Sequence, residues 1–168
     1  AGDFMVKKKL FFILVAILVI VFIGIMIFTK LNPPLVSGTV ATASGNKAVV
    51  IGIGNEGFSN IRIKRVLVNN NEMPLYQKVQ VSNPLKGFVI TDNFNKEARE
   101  YGLNNIGDVI IETNTSPKTQ YEKMDSGTAT KKDKIYGISI VHTEPIHEVH
   151  IKYSYFGWHL KETVPLNQ

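Results

Sequence analysis

YGISIVHTEPIHEVHIKY, residues 136–153, decides how the chain is read. Tyr136, Ile138 and Ile140 alternate with Gly137, Ser139 and Val141, and Val149, Ile151 and Tyr153 alternate with His150 and Lys152. A period of two marks half-buried β-strands. With Thr143-Glu144-Pro145-Ile146 as a loop, His142 stands opposite His147, Ile140 meets Val149, Ile138 meets Ile151 and Tyr136 meets Tyr153. One register then gathers an apolar face and leaves Val141–Glu148, Ser139–His150 and Gly137–Lys152 on a mostly polar one. The expectation is an antiparallel hairpin, continued by Tyr155, Trp158 and Leu160 past a bend at Gly157.

Upstream the same grammar repeats. Residues 36–43 and 47–53 read as strands around the turn Ser44-Gly45-Asn46, and 60–68 follows across Gly54-Asn55-Glu56-Gly57. Within 60–68, Ile61 and Ile63 share one phase and Val66 and Val68 the other, so a β-bulge is expected at Lys64-Arg65, re-aiming the strand toward another sheet. Residues 76–81 and 87–90 read as edge strands, 93–101 as one short helix ending at Gly102, and 107–113 as strand. Residues 116–133 are polar and read as a long loop. The fold class expected is mainly β, an antiparallel β-sandwich of immunoglobulin/fibronectin-like type occupying residues 35–168. Tyr136, late in the chain and after a long loop, has the place of a tyrosine corner.

Before this domain, Leu10 to Phe28 runs for nineteen residues without a charge. As a helix it measures roughly 28 Å, close to a bilayer's hydrocarbon thickness. The run exceeds a secretory h-region and lacks a small-x-small site directly after it, so it reads as a retained transmembrane anchor over 10–28. Lys7, Lys8 and Lys9 on the short side, against Lys30 on the other, place the N-terminus in the cytoplasm and residues 35–168 outside. Residues 1–9 form the cytoplasmic tail, with Ala1 to Phe4 set aside as an expression scar. Residues 29–34 form a stiff spacer, in which Pro33-Pro34 forbids the continuous helix of a pilin.

Composition narrows the function classes. From Lys30 onward 16 basic residues face 13 acidic ones, intermingled and with no concentrated basic stripe, so nucleic acid is not an expected partner. Cysteine is absent, so an exported domain here is held by its core alone.

The tempting motifs read as structure. Gly52-Ile53-Gly54-Asn55-Glu56-Gly57 matches GxGxxG, but a strand pattern follows where the dinucleotide fingerprint needs a helix, and the glycines read as a turn with positive φ. His147-Glu148-Val149-His150 is one residue short of HExxH, and in a strand its histidines point to opposite faces. No nucleophile elbow and no placeable carboxylate pair is present, so no catalytic residue, cofactor or metal site is assigned. His142 and His147 across the expected hairpin, with Glu144 beside them, are the nearest thing to metal ligands, a set of two imidazoles and one carboxylate. Phe156 and Trp158, together with Lys131, Lys132 and Lys134, are the candidate binding patch: exposed aromatics suit protein, glycan or lipid headgroups, and the lysines suit anionic lipid or wall polymer.

In architecture the chain from Met5 onward is similar to small single-pass membrane-anchored proteins of Gram-positive type that carry an exported immunoglobulin-like sandwich without an assigned activity. The resemblance implies a cell-membrane location and lends no catalytic residue. The function expected is a tethered extracytoplasmic binding module for an envelope protein or ligand, without catalysis. The alternatives are an accessory or sensory subunit docking through its membrane helix, a membrane-anchored enzyme, or a metal-binding protein.

Overall fold

The computed structural model of the chain describes residues 2–92, 94 and 100–166, with side chains from residue 5 onward. It forms two compact units, Ala1–Pro33 and Pro34–Gln168. The first is a helix, α1 (Gly2–Leu31), whose segment Met5–Leu31 is long and apolar enough to cross a membrane. Thr29, the polar side chain near its end, donates to the carbonyls of Ile25 and Met26 at 3.0 and 3.1 Å, so no hydroxyl is left unpaired there. The helix stops one residue before Asn32-Pro33-Pro34, where proline bars the α conformation to its predecessor.

The second unit is a mainly-β sandwich. Its strands are β1 (Leu35–Ala43), β2 (Ala48–Asn55), β3 (Ile61–Val68), β4 (Tyr76–Ser82), β5 (Leu103–Asn104), β6 (Ile110–Ile111), β7 (Ile135–Val141), β8 (Glu148–Tyr155) and β9 (Trp158–Pro165), with a short helix, α2 (Pro117–Asp125), before β7. They form two antiparallel sheets, β1-β2-β7-β4-β5 and β6-β3-β8-β9. One core lies between them, with Val49, Ile51 and Ile53 of β2 and Tyr136, Ile138 and Ile140 of β7 facing Ile61, Ile63, Val66 and Val68 of β3 and Val149, Ile151, Tyr153 and Tyr155 of β8.

The hairpin expected over 136–153 is overturned. Strand β7 lies between β2 and β4 in the first sheet, and β8 lies between β3 and β9 in the second. The residues of the expected apolar face do share a core, but they meet across the sandwich rather than side by side. The connection makes the difference: Pro145 cannot donate to a ladder, and Ile146 turns fully into the core instead of capping a loop. Backbone bonds from His142 to Lys47 O and from Ile146 to Asn46 O, both 2.9 Å, fasten this crossover to the β1–β2 turn.

Other expectations divide. The turn 44–46 is present, with Ser44, Gly45 and Asn46 all at positive φ. The β-bulge in β3 is present as a register shift between Ile63 and Arg65, but the strand stays in its own sheet; the extra residue turns both phases toward the core. Strand β4 is covered on its outer side by the two-residue β5, and 87–90 is not a strand. The helix expected over 93–101 lies outside the described residues except for 94, 100 and 101. Residues 116–133 are not a loop throughout, since they contain α2. The glycines of the GxGxxG match do not carry positive φ: Gly52 and Gly54 belong to β2 and Gly57 to the turn after it. Tyr136, expected as a tyrosine corner, sits at the head of β7, and its hydroxyl accepts at 3.5 Å from the Glu112 N–H, 24 residues upstream rather than a few.

Candidate functional site

Strand β2 reads AVVIGIGN and is buried on both faces, which a one-sided sandwich does not require. Its outer face is covered by two pieces of chain. The first is the loop after β4, stapled down by Gln80, whose Nε2 donates to Val89 O at 2.5 Å and to Ser139 Oγ at 2.6 Å while its Oε1 accepts from Val89 N at 2.9 Å. This loop lays the Phe88 ring over Gly52 and Gly137, which face each other across the β2/β7 ladder. A Cβ on Gly137 would come within 2.9 Å of that ring. Both glycines are therefore a flat seat for an aromatic side chain.

The second cover is α2. Ser116 caps it, its Oγ accepting from Thr119 N at 3.3 Å; Pro117 occupies the first turn, and Gly127 at φ 69° ends it. The helix start lies directly on the sheet, because a Cβ on Gly38 would collide with Pro117 Cβ and one on Gly54 with Thr115 O. Hydrogen bonding between Tyr121 and Thr39 ties the helix to β1, and Lys123 pairs with Asp133 beyond its end. That ammonium, with the Thr130 N–H and hydroxyl, holds the Asp133 carboxyl down at about 2.

Between these two covers is an almost wholly apolar cavity of about 230 Å³. Gly52 and Tyr136 form its floor, Phe88 and Pro84 one wall, and Pro117, Gln120 and Met124 the other. Gln120 is only 5% exposed, and its Oε1 accepts no hydrogen bond. A buried amide oxygen without a donor costs about 1–3 kcal/mol. Tyr121 and Met124 stand half-exposed at the mouth. This is the candidate site, and the sequence reading missed it. The signals were present: three glycines at 38, 52 and 54 in strands that need no turn, and an S-P start with a Gly stop around 116–127.

The sequence-derived candidates fall elsewhere. His142 sits at the end of β7 with Nε2 3.2 Å from Glu72 Oε2, and its buried Nδ1 has no partner. The His147 N–H donates to Asn69 Oδ1 at 2.9 Å. Since β7 and β8 are not ladder neighbours, the cross-strand geometry proposed for His142, His147 and Glu144 does not form. Among the described residues no group of three or more His, Asp or Glu side chains is placed to hold a metal ion. His150 is taken by Asn69 O and Thr163 Oγ1 at 2.9 and 3.2 Å.

The patch residues, by contrast, gather at one end of the sandwich. Phe156 and Gly157, at φ 50° and 78°, form the two-residue turn between β8 and β9, and Trp158 pairs with Tyr155 directly behind it. Phe156 packs on Tyr155 and on Phe58 of the β2–β3 loop, with ring centroids 4.7 and 5.5 Å apart. Lys131 and Lys132 are exposed in a turn closed by Thr130 N and Oγ1 on Asp133 Oδ2 at 2.7 and 2.8 Å, and Lys134 pairs with Glu112. That turn leads into Ile135, which aligns with Ser82; Tyr136 aligns with Ile53, and Leu35 with Asn55, so all these segments share one end. Comparison with family models, with curated proteins and with solved structures finds no match to this chain.

Proposed function

We propose that the protein is a membrane-tethered extracytoplasmic binding module whose ligand enters the cavity between α2, the Phe88 loop and the first sheet. In this reading α1 spans the membrane with Lys7, Lys8 and Lys9 on the cytoplasmic side, and the sandwich lies outside. The strand orders β1-β2-β7-β4 and β3-β8-β9 follow the A-B-E-D and C-F-G order of immunoglobulin constant-type sandwiches, a scaffold that presents sites to partners. Catalysis is not part of the proposal, because the cavity wall offers no nucleophile–base pair and no convergent carboxylates.

The single observation that carries the reading is the apolar cavity and its lining residue Gln120, whose buried Oε1 has no hydrogen-bond donor. A cavity of about 150 Å³ already admits benzene, so this one holds a single ring or a short aliphatic segment. The ligand class is an apolar group with one N–H or O–H directed at Gln120, carried by an envelope protein or small molecule. A photo-cross-linking residue at Met124 in the full chain, in its native membrane, tests this. The expected result is a defined adduct that disappears when Gln120→Leu is added, while thermal unfolding confirms that the variant folds. Identical adducts with and without Gln120 would remove the cavity from the function.

A further inference from the structure

We infer that the end of the sandwich bearing Phe58 and Phe156 docks into the interface of an anionic bilayer, the same one that α1 spans; this rests on the membrane-tether reading above. The argument begins with covalent reach. Only Asn32 and Pro33 separate Leu31, the last residue of α1, from Pro34, so Pro34 lies within about 11 Å of the helix end. Pro34 is itself part of the aromatic end: its carbonyl accepts from Glu56 N at 2.9 Å, and a Cβ on Gly57 would lie 2.7 Å from both Pro34 Cβ and Tyr155 Oη. The Phe58 N–H donates to that same Tyr155 hydroxyl at 3.2 Å. The tether thus enters the domain where Phe58 and Phe156 stand 68% and 53% exposed.

Backbone conformation supplies a second, independent argument. A two-residue turn with both residues at positive φ is type I′, a position that calls for Asn or Gly rather than a bulky aromatic. Phe156 adopts φ 50° there, and although its ring packs on Tyr155 and Phe58 it stays about half-exposed. Backbone strain gathers at functional sites, so its presence at an exposed apolar tip supports a binding role for that tip. Exposed Phe side chains can be buried at the headgroup–acyl boundary, and Lys131 and Lys132 on the same end add attraction for anionic headgroups, outnumbering the exposed Glu56 beside Phe58.

Trp158 is the only tryptophan of the chain and flanks this turn, so its emission reports on the tip alone. The full-length protein is reconstituted into phosphatidylcholine–phosphatidylglycerol vesicles whose acyl chains carry bromine. Flotation with the vesicles reports on the tether, and quenching of Trp158 by the bromines reports on insertion of the tip. The expected result is a quenched Trp158 in the parent chain and loss of that quenching in Phe58→Asn/Phe156→Asn, with flotation unchanged. Unquenched Trp158 in a floating parent chain overturns the docking alone, as does quenching that the double variant leaves intact. A chain that fails to float overturns the tether reading and the docking with it. Because Asn is favoured in the turn and Phe58 is exposed, the double variant folds, which thermal unfolding verifies.

Discussion

Asn55 closes the end of β2 by itself. Its side-chain amide donates to Ser59 O and Ile111 O at 2.8 and 3.1 Å, and its carbonyl accepts from Gly57 N at 2.8 Å, while its backbone N–H reaches Thr115 Oγ1 at 3.2 Å. The side chain is fully buried, so these bonds are exchanged for nothing if they are removed. Asn55→Ala leaves three backbone groups short of a partner and is expected to lower unfolding stability by roughly 3 kcal/mol, read as a shift in denaturant midpoint. Two other residues carry a local cost, and their replacements measure it. Phe156→Asn relieves the left-handed turn but gives up the ring contacts with Tyr155 and Phe58, so stability is expected to stay within about 1 kcal/mol of the parent. Gln120→Leu keeps the volume and removes the orphaned acceptor, so it is expected to gain about 1 kcal/mol while losing the ligand. A loss well beyond about 1 kcal/mol in either variant would mean that the residue is there chiefly for packing.

At the scale of elements, α2 is the part with the fewest supports of its own. Its sequence PKTQYEKMD has no apolar stripe, and it is held by a cap, by glycine seats under its first turn and by bonds at Tyr121 and Lys123. Ser116→Ala removes the cap, at about 1 kcal/mol, and is expected to speed amide exchange within 117–125 about fivefold while leaving β8 unchanged. Gly38→Ala acts on the same helix from below, since its Cβ collides with Pro117. If exchange across the whole domain rose instead, α2 would be part of the global folding unit and not a separable cover. The same weakness explains why the sequence reading passed over this helix. Alternation identifies which residues face a core, and it did so for Tyr136, Ile138, Ile140, Val149, Ile151 and Tyr153. It carries no information on whether two alternating runs are ladder neighbours or face each other across a sandwich, which here depends on where Pro145 and Ile146 send the chain. A helix held by caps and glycine seats has no period to detect, and the cavity beneath it depends on contacts between residues as distant as Gly38, Phe88 and Gln120.

For the sandwich as a whole, the absence of disulfides leaves stability to a core in which tyrosines are among the largest fully buried side chains. That makes alkaline pH the condition to which the fold is sensitive. Burial pushes the Tyr153 hydroxyl up to about 12, with the nearby Glu162 carboxylate adding to the shift, and burial raises Tyr136 as well. In the unfolded chain both phenols ionise near 10. Between these values the unfolded state binds fewer protons than the native one, so stability falls as pH rises: it is complete below about 10 and is lost through about 12. One group shifted from 10 to about 12 corresponds to roughly 3 kcal/mol. Denaturant midpoints taken at intervals from pH 8 to 12 should therefore fall steeply above about 10. Tyr153→Phe, which preserves the ring and removes the ionisable group, should flatten that fall more than Tyr136→Phe does. An equally steep fall in both variants would assign the alkaline transition to the lysines, whose charge also disappears there, and would leave the buried phenols as packing groups only.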